Sequence, residues 1–349
     1  GIKKLGDYEV EITTDGFSAT TIYNLGVIVE PMHYYGDASL YDYDNNQFGF
    51  TRGDLSAVRD KASQPLGAGP YKFVKYENKT VYLEANENYY KGAPKIKYLQ
   101  WRETSDADKI AGVEQGTIDL SDPSGSKSAF DQIKSINSNG ELDGDKIMVN
   151  ATDNLGYGYI GINSNTVNVG GDAGSDASKN LRKAIATVLA VYRDVAIDSY
   201  YGDAASVINY PISNTSWAAP QKSDADYQAA YSVDVDGNAL YTDDMSDDEK
   251  FAAATQAALG FFEAAGYTVE DGKVTAAPEG AKMSYEIIIG ADGNGDHPSF
   301  AILTDAKAAL ESIGFTLEIN DVTDSNIMWD ALNAGTAEMW AAAWQATID

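Results

Sequence analysis

The sequence predicts an α/β protein of two domains, and three observations support this prediction. The chain has 349 residues, which exceeds the roughly 100–200 residues of a single domain. Short alternating strands separated by Gly/Pro turns dominate its first part, whereas apolar residues at helical spacing dominate its second part. The pattern changes near residue 155, which predicts a first lobe at 1–155 and a second α/β lobe at 156–349.

In the first lobe, alternation of polar and apolar residues predicts strands at 8–13, 71–76, 79–85 and 96–102. Ser105 is a candidate N-cap for a helix that ends near Gly116, because Gly tolerates the left-handed conformation that follows a helix. Residues 122–144 are rich in Ser, Gly and Asn and are predicted to form a loop. A further strand is expected near 147–150.

The second lobe is predicted to be richer in helices. A strand at 157–163 is followed by an exposed Gly/Asp/Asn-rich loop at 165–178. Apolar spacing then predicts helices at 178–200, 246–266, 298–314 and 325–334, with further strands at 285–290, 315–321 and 337–344. The strand–helix–strand succession from Tyr285 to Ile319 predicts a parallel or mixed sheet with a crossover helix.

Composition excludes several classes of function. The chain has 25 Lys+Arg against 53 Asp+Glu, a net charge of −28, which argues against binding to nucleic acid or to an anionic membrane surface. It has no Cys, so disulfides, thiolate catalysis and Cys-based zinc sites are excluded. No run approaches the roughly 18 apolar residues of a membrane span. The start, Gly1–Val10, has no apolar signal region, as expected for a mature or trimmed chain.

No catalytic or metal motif stands out in the sequence. The G-x-S-x-G, phosphate-loop and H-E-x-x-H patterns are missing, and the acids are too numerous for a catalytic pair to be singled out. Asp292, Asn294 and Asp296 have the alternate spacing of a calcium loop, but an EF-hand requires Gly at position 297 and an acid at 303. The chain has His297 and Leu303, so a solvated loop is the default interpretation, and we predict no cofactor.

The tryptophans are the most informative candidate site residues. Trp217 lies in the loop from Pro211 to Pro220, and Trp344 ends a predicted strand beside three alanines, where it is placed to line a cleft. Packing in the core is the competing interpretation for both residues, and Trp340 is expected in the core. Together with 23 Tyr, these aromatics suit extracellular recognition, because a ring offers a large contact face at low entropic cost.

Six weak motifs follow one another over nearly the whole chain. They are Gly67–Tyr71 (GAGPY) with Lys72 and Phe73; Asn86, Tyr89, Tyr90, Gly92 and Pro94; Glu114–Asp119 (EQGTID); Asn163 with Leu181–Ala184, Arg193 and Asp194; Glu263–Tyr267 (EAAGY); and Ile313, Gly314, Trp344 and Asp349. In this order they resemble the motifs of the extracellular solute-binding proteins of oligopeptide-type ABC importers, family 5.

The resemblance implies a two-lobed, type II periplasmic-binding-protein-like fold with mixed sheets that closes on its ligand about a hinge. Family members are usually longer at both ends, so the chain is interpreted as a fragment, with 1–53 as the remainder of a small subdomain and 54–155 as the β-rich part of the first lobe. The implied partners are an oligopeptide or similar solute and an ABC permease. The implied protein is a monomer outside the cytoplasm, in the periplasm or as a surface lipoprotein, and is not an enzyme.

The resemblance also implies which residues bind the solute. Tyr157 and Tyr159 fall where family members place ligand-facing aromatics, and Trp344, Gln345 and Thr347 fall on the Trp–Asp motif; Trp217 completes the predicted set. Thr347 stands where peptide-binding members have the Asp that holds the peptide amino terminus, so that anchor is in doubt here. An extracellular carbohydrate-active enzyme or oligosaccharide-binding protein remains the alternative, and a surface adhesin is a third possibility.

Overall fold

The computed structural model describes residues 1–291 and 293–346. Residues Gly1–Ala111 form one compact unit, and a second compact unit begins at Gly112. The boundary between lobes that the sequence predicts at 155/156 stays a prediction. In the described part of the chain, every helix is too short or too polar to cross a bilayer.

The first unit is built from small antiparallel sheets. Its strands are β1 (Ile2–Gly6), β2 (Glu9–Ile12), β3 (Tyr41–Asp42), β4 (Gln47–Phe48), β5 (Tyr71–Glu77), β6 (Thr80–Ala85) and β7 (Tyr98–Arg102), which pair as β1–β2, β3–β4 and β5–β6–β7. Its helices are α1 (Thr21–Asn24), α2 (Met32–Tyr35), α3 (Ser56–Arg59) and α4 (Asp106–Glu114), the last of which runs into the second unit.

The predicted strands at 71–76, 79–85 and 96–102 are confirmed as the three-stranded sheet. Asn78 and Lys79 both have positive φ, at 50° and 57°, between β5 and β6. Two consecutive positive φ values match the twist of a hairpin, so this turn fixes the register in which Glu77 pairs with Thr80. The predicted strand at 8–13 is confirmed as β2, whose partner β1 was not predicted.

The second unit contains a four-stranded mixed sheet in the order β12–β11–β13–β8. Its elements are α5 (Lys127–Ile136), β8 (Gly156–Ile162), α6 (Asp176–Val191), α7 (Arg193–Tyr201), α8 (Asp247–Ala264), β9 (Thr268–Glu270), β10 (Lys273–Ala276), β11 (Ser284–Ile289), α9 (Phe300–Ser312), β12 (Thr316–Asp321), α10 (Ser325–Asn333) and β13 (Met339–Gln345). β11 runs parallel to β12 and β13, whereas β8 runs antiparallel to β13. The predicted crossover helix between two parallel strands is confirmed as α9.

The core of this unit lies between the sheet and helices α6, α8 and α9. Its fully buried side chains include Leu181, Ile185, Phe262, Ile287, Leu303, Leu310, Phe315, Leu317 and Met339. The predicted helix at 246–266 is confirmed as α8, which begins with a capping box: the Ser246 hydroxyl accepts from the Glu249 N–H, and the Glu249 carboxylate accepts from the Ser246 N–H. The predicted helix at 178–200 is divided at Tyr192, where the Arg193 side chain donates to the Ala190 carbonyl and to the Ile208 carbonyl.

Two predictions for residues 122–150 are wrong. Residues 127–136 form α5 rather than a loop, because the Ser126 hydroxyl caps the helix by accepting from the Ala129 N–H at 3.2 Å. The strand expected near 147–150 does not form and leaves one isolated bridge between Asp143 and Met148. The buried Asn137 amide bonds both the N–H and the carbonyl of Ile147 at 2.9 Å, which supplies the partners that a neighbouring strand would provide.

The loop at 165–178 is more tightly held than its composition predicted. Val167 and Asn168 are buried, and the helix α6 already begins at Asp176. The Arg182 guanidinium donates to the Val167 carbonyl at 3.0 Å and to the Ala173 carbonyl at 2.8 Å. These bonds tie the segment to α6, so the expectation of an exposed loop is corrected for its central residues.

Gly314 ends α9 in the left-handed conformation, with φ at 86°, and a Cβ there would overlap the Val274 carbonyl oxygen. Gly335 has a similar φ of 69° but open space around it. We expect Gly335→Ala to lower the free energy of unfolding by about 1–2 kcal/mol, the penalty for an L-residue in this conformation. Gly314→Ala should cost roughly 2 kcal/mol more, because overpacking is added.

Urea denaturation of both variants measures this difference. Equal losses of stability would show that the β9–β10 hairpin does not press against the end of α9 as described.

Candidate functional site

The pairing of β8 with β13 places four aromatic side chains on one face of the sheet. In this antiparallel register Tyr157 lies opposite Trp344, and Gly161 lies opposite Trp340. Tyr159 lies opposite Ala342. Opposed residues share a face and alternate residues repeat it. Tyr157, Tyr159, Trp340 and Trp344 therefore lie together and are called the aromatic cluster.

The rings of the aromatic cluster contact one another in a defined geometry. The Tyr159 and Trp344 rings are parallel within 3°, with centroids 5.8 Å apart. Tyr157 and Trp340 each meet Tyr159 edge-on, with centroids 6.4 Å away. The Trp340 indole N–H donates to the Tyr159 hydroxyl at 3.1 Å, which fixes the orientation of both rings. Tyr159 is thus the centre of the cluster.

The aromatic cluster has a buried end and an exposed end. Trp340 is half-buried and packs against Ile288, Val322 and Met328, under α10. Trp344, at the other end, leaves 55 % of its surface exposed although an indole is large and mostly apolar. An aromatic side chain that is supported from below and open above is suited to contact a ligand. The sheet thus presents Trp344 to solvent on a preorganised base.

The predicted site residues divide into those that the fold brings together and those that it does not. Tyr157, Tyr159 and Trp344 meet in the aromatic cluster. Gln345 is exposed at the end of β13, opposite Gly156, and Thr347 lies outside the described residues. Trp217 is 87 % exposed in its loop, and within the described residues no ring contact joins it to the cluster.

The loop that carries Trp217 is nevertheless fastened next to β8. The hydroxyls of Ser213 and Thr215 both donate to the Asn154 carbonyl at 3.3 Å, two residues before β8 begins. Just before this loop in the chain, the Arg193 guanidinium donates to the Asn209 side chain at 3.2 Å and to the Ile208 carbonyl. The backbone of this loop therefore lies near the end of β8 at which Tyr157 and Trp344 pair.

Trp340 belongs to the aromatic cluster although it was not among the predicted site residues. The sequence offered a signal, because Trp340 and Trp344 are four residues apart in a predicted strand and must share a face. The expectation that Trp340 packs in the core is true of one side of its ring only. Its indole N–H donates to Tyr159, so Trp340 also positions the ring on which Trp344 is stacked.

The segment with the spacing of a calcium loop does not assemble a metal site within the described residues. Asp292 lies outside them, the Asn294 side chain accepts from the Asp296 N–H, and the Tyr200 hydroxyl donates to Asp296 at 3.1 Å. Across the described residues, no group of three His, Asp or Glu is arranged to hold a metal ion. These side-chain oxygens instead organise the turn that leads into α9.

A shallow cavity of about 350 Å³ lies beside that turn, between α7 and α9. It is lined by Tyr200, His297, Phe300 and Thr304, among others. The His297 ring accepts from the Ser299 N–H through Nδ1, and burial lowers the pKa of His297, so its neutral form is favoured. The cavity does not include any residue of the aromatic cluster.

The comparisons with known proteins identify the family. The chain belongs to the bacterial extracellular solute-binding proteins of family 5, whose "family 5 Middle" profile matches residues 1–349. The resemblance found in the sequence motifs is thereby confirmed. The chain is 26 % identical to the oligopeptide-binding protein AppA of Bacillus subtilis over 124 aligned residues. The aligned stretch covers 34 % of this chain and 20 % of AppA.

Solved structures confirm the predicted fold class, that of the type II periplasmic binding proteins. AppA of Bacillus subtilis, solved in complex with a nonapeptide, matches with a TM-score of 0.65 and 19 % identity over 99 % of this chain and 58 % of that chain. DppA of Helicobacter pylori, in complex with the peptide STSA, matches with a TM-score of 0.63 and 18 % identity over 100 % of this chain and 54 % of that chain. The chain thus spans a little over half the length of these relatives.

The aromatic cluster makes a prediction about two glycines of β8. A Cβ at Gly161 would lie 2.5 Å from the Trp340 ring, whereas a Cβ at Gly158 would meet nothing closer than 3.9 Å. Gly161→Ala should therefore displace Trp340, lower the free energy of unfolding by about 1–3 kcal/mol and reduce the aromatic near-ultraviolet circular dichroism. Gly158→Ala should change stability by no more than about 0.5 kcal/mol.

Circular dichroism and urea denaturation of the two variants provide the test. A spectrum that is unchanged in Gly161→Ala would contradict the packing of Trp340 against β8.

Proposed function

We propose that this chain is the solute-capturing part of the receptor of an ABC importer, which binds an oligopeptide or a similar solute and delivers it to a membrane permease. The observation that carries the proposal is the exposed ring of Trp344, held parallel to Tyr159 on a supported sheet. Membership of the solute-binding family supports it. The residues that we propose for the site are Tyr157, Tyr159, Trp217, Trp344, Gln345 and Thr347.

The proposed role is binding without catalysis. The cluster offers aromatic faces, the indole N–H of Trp340 is already bonded to Tyr159, and the strands β8 and β13 that carry the rings contain no charged residue. Such a surface recognises shape and apolar area, which supports a binding role. We further propose that the protein acts outside the cytoplasm as a monomer, in the periplasm or at the cell surface as a lipoprotein.

An oligopeptide is the solute that we favour. The relatives named above were solved with a nonapeptide and with a tetrapeptide, which supports a peptide site on the shared fold. Parallel aromatic faces also suit the apolar face of a sugar ring, so an oligosaccharide is the second candidate. A carbohydrate-active enzyme is the alternative from a different class of protein, because an enzyme would change its ligand chemically, whereas a receptor releases it unchanged.

A binding screen separates these candidates. The complete gene product is incubated with a peptide pool and an oligosaccharide pool, and bound ligands are identified by native mass spectrometry, with a thermal shift as the second readout. We expect peptides to be retained and released with unchanged mass. Sustained conversion of a peptide or glycoside that one carboxylate substitution abolishes would overturn the proposal.

Trp344→Ala tests the residue that carries the proposal. We expect it to weaken peptide binding by about 1–3 kcal/mol, roughly 5- to 150-fold, which is the range for losing an aromatic anchor. Trp101 is 74 % exposed on β7 and is the control. Trp101→Ala should leave both affinity and stability within about 0.5 kcal/mol of the natural protein.

Calorimetric titration of the same peptide into each variant measures the two affinities. Loss of affinity in Trp101→Ala with none in Trp344→Ala would place the site elsewhere.

Thr347 leads to a prediction about the peptide amino terminus. A threonine supplies no charge, and a buried ammonium without a carboxylate is costly, so the site should not depend on a free terminal amine. We expect a peptide and its N-acetylated form to bind with affinities that agree within about tenfold, or 1.4 kcal/mol. A larger loss on acetylation, measured by calorimetry, would show that a carboxylate holds the amine, with Asp349 the first candidate.

A further inference from the structure

The three segments that carry the proposed site lack basic side chains. Residues 147–178 carry Tyr157 and Tyr159, residues 194–221 carry Trp217, and residues 308–349 carry Trp344. None of these segments contains a Lys, an Arg or a His, whereas together they contain 13 Asp or Glu. The strands β8 and β13 themselves contain no charged residue. An anionic group on the solute would therefore meet no basic partner from any of these segments.

The negative charge of the chain is concentrated in its second part. Residues 112–349 contain 12 Lys+Arg against 37 Asp+Glu, a charge of −25, whereas residues 1–111 contain 13 against 16, a charge of −3. A field of one sign around a binding surface raises the local concentration of ligands of the opposite sign and speeds their association. The unit that carries the aromatic cluster thus attracts cations.

The rings of the aromatic cluster are free to accept a cation from outside. In the described part of the chain, six lysines lie within 4.6–5.9 Å of aromatic ring centroids, two of them in the second unit over Phe261 and Tyr285. None of these lysines lies over Tyr157, Tyr159, Trp340 or Trp344. Trp is the ring that binds a cation best, and Trp344 is the most exposed ring of the cluster.

We propose that the solute is a cationic oligopeptide whose Arg or Lys side chain lies over the face of Trp344. This inference rests on the proposed function and names the ligand class for the same site. The guanidinium or ammonium gains attraction from the ring face and from the acidic surroundings, and it displaces no basic group of the protein. A neutral peptide gains only the contact area. An acidic peptide loses solvation without gaining a basic partner from the three segments.

Three blocked peptides of one length test this proposal. Each is N-acetylated and C-amidated, so terminal charges play no part, and the central residue is Arg, its neutral isostere citrulline, or Glu. Affinities for the complete gene product are measured by calorimetry at about 20 mM and about 300 mM salt, which bracket the physiological screening length. We expect the Arg peptide to bind at least about fivefold more tightly than the citrulline peptide at low salt, and the preference to shrink at high salt.

Two pairs of variants test whether the preference for the Arg peptide comes from the Trp344 ring and from the negative charge around it. Trp344→Ala should remove most of the preference for Arg over citrulline, whereas Trp101→Ala should preserve it. Asp153 is the only charged residue from 147 to 171, close in sequence to β8, and Asp153→Lys should reduce the preference. Asp243→Lys, in the exposed turn before α8, makes the same change of charge and should reduce it less.

The outcomes separate this inference from the proposed function. Peptide binding without preference for Arg, a preference for Glu, or a preference that Trp344→Ala leaves intact would overturn the cationic ligand and leave a peptide receptor. Failure of all three peptides and of the peptide and oligosaccharide pools would overturn the proposed function and the inference with it.

Discussion

The antiparallel pairing of β8 with β13 is the interaction on which the rest of the candidate site depends. It joins segments that are about 180 residues apart in the chain, and its ladder extends from the Asn163–Glu338 bond at one end to the Ala346–Leu155 bond at the other. Only this register puts Tyr157 opposite Trp344. A shift of either strand by one residue would move both of its aromatic rings to the opposite face, where the core of the second unit lies. The register therefore defines both the core and the exposed surface.

The parallel part of the sheet holds this pair in place. The Glu338 carboxylate accepts from the Glu286 N–H at 2.7 Å and pairs with Lys282, which fixes the start of β13 against β11. α10 then covers the Trp340 end of the cluster through Met328 and leaves the Trp344 end open. The same strand thus serves stability at its first residues and carries the proposed site at its last residues. The strand itself contributes no charged side chain beside the rings.

Local patterns predicted the elements of this fold better than the partners between them. Alternation and apolar spacing located most strands and long helices, including α8 and the crossover helix α9. α5 was missed because its cap, Ser126, lies in a run whose composition resembles a loop. The pairing of β8 with β13 was not predicted, because long-range register has no local signal in one sequence. The place of Trp340 was missed although its spacing from Trp344 in one strand indicates that the two share a face. Thr347 lies outside the described residues, so the amine-anchor prediction depends on the sequence alone.

The central claim is that the solute binds at the aromatic cluster. A peptide titration in which nuclear magnetic resonance records the five indole N–H signals of the chain tests this claim most directly. Each tryptophan gives one signal, so binding near each ring is observed separately, and no residue has to be substituted. We expect the chemical shifts of the Trp344 and Trp340 signals to change as the peptide binds, whereas those of Trp101 and Trp329 stay constant. Movement of Trp101 or Trp329 together with a stationary Trp344 signal would contradict the claim.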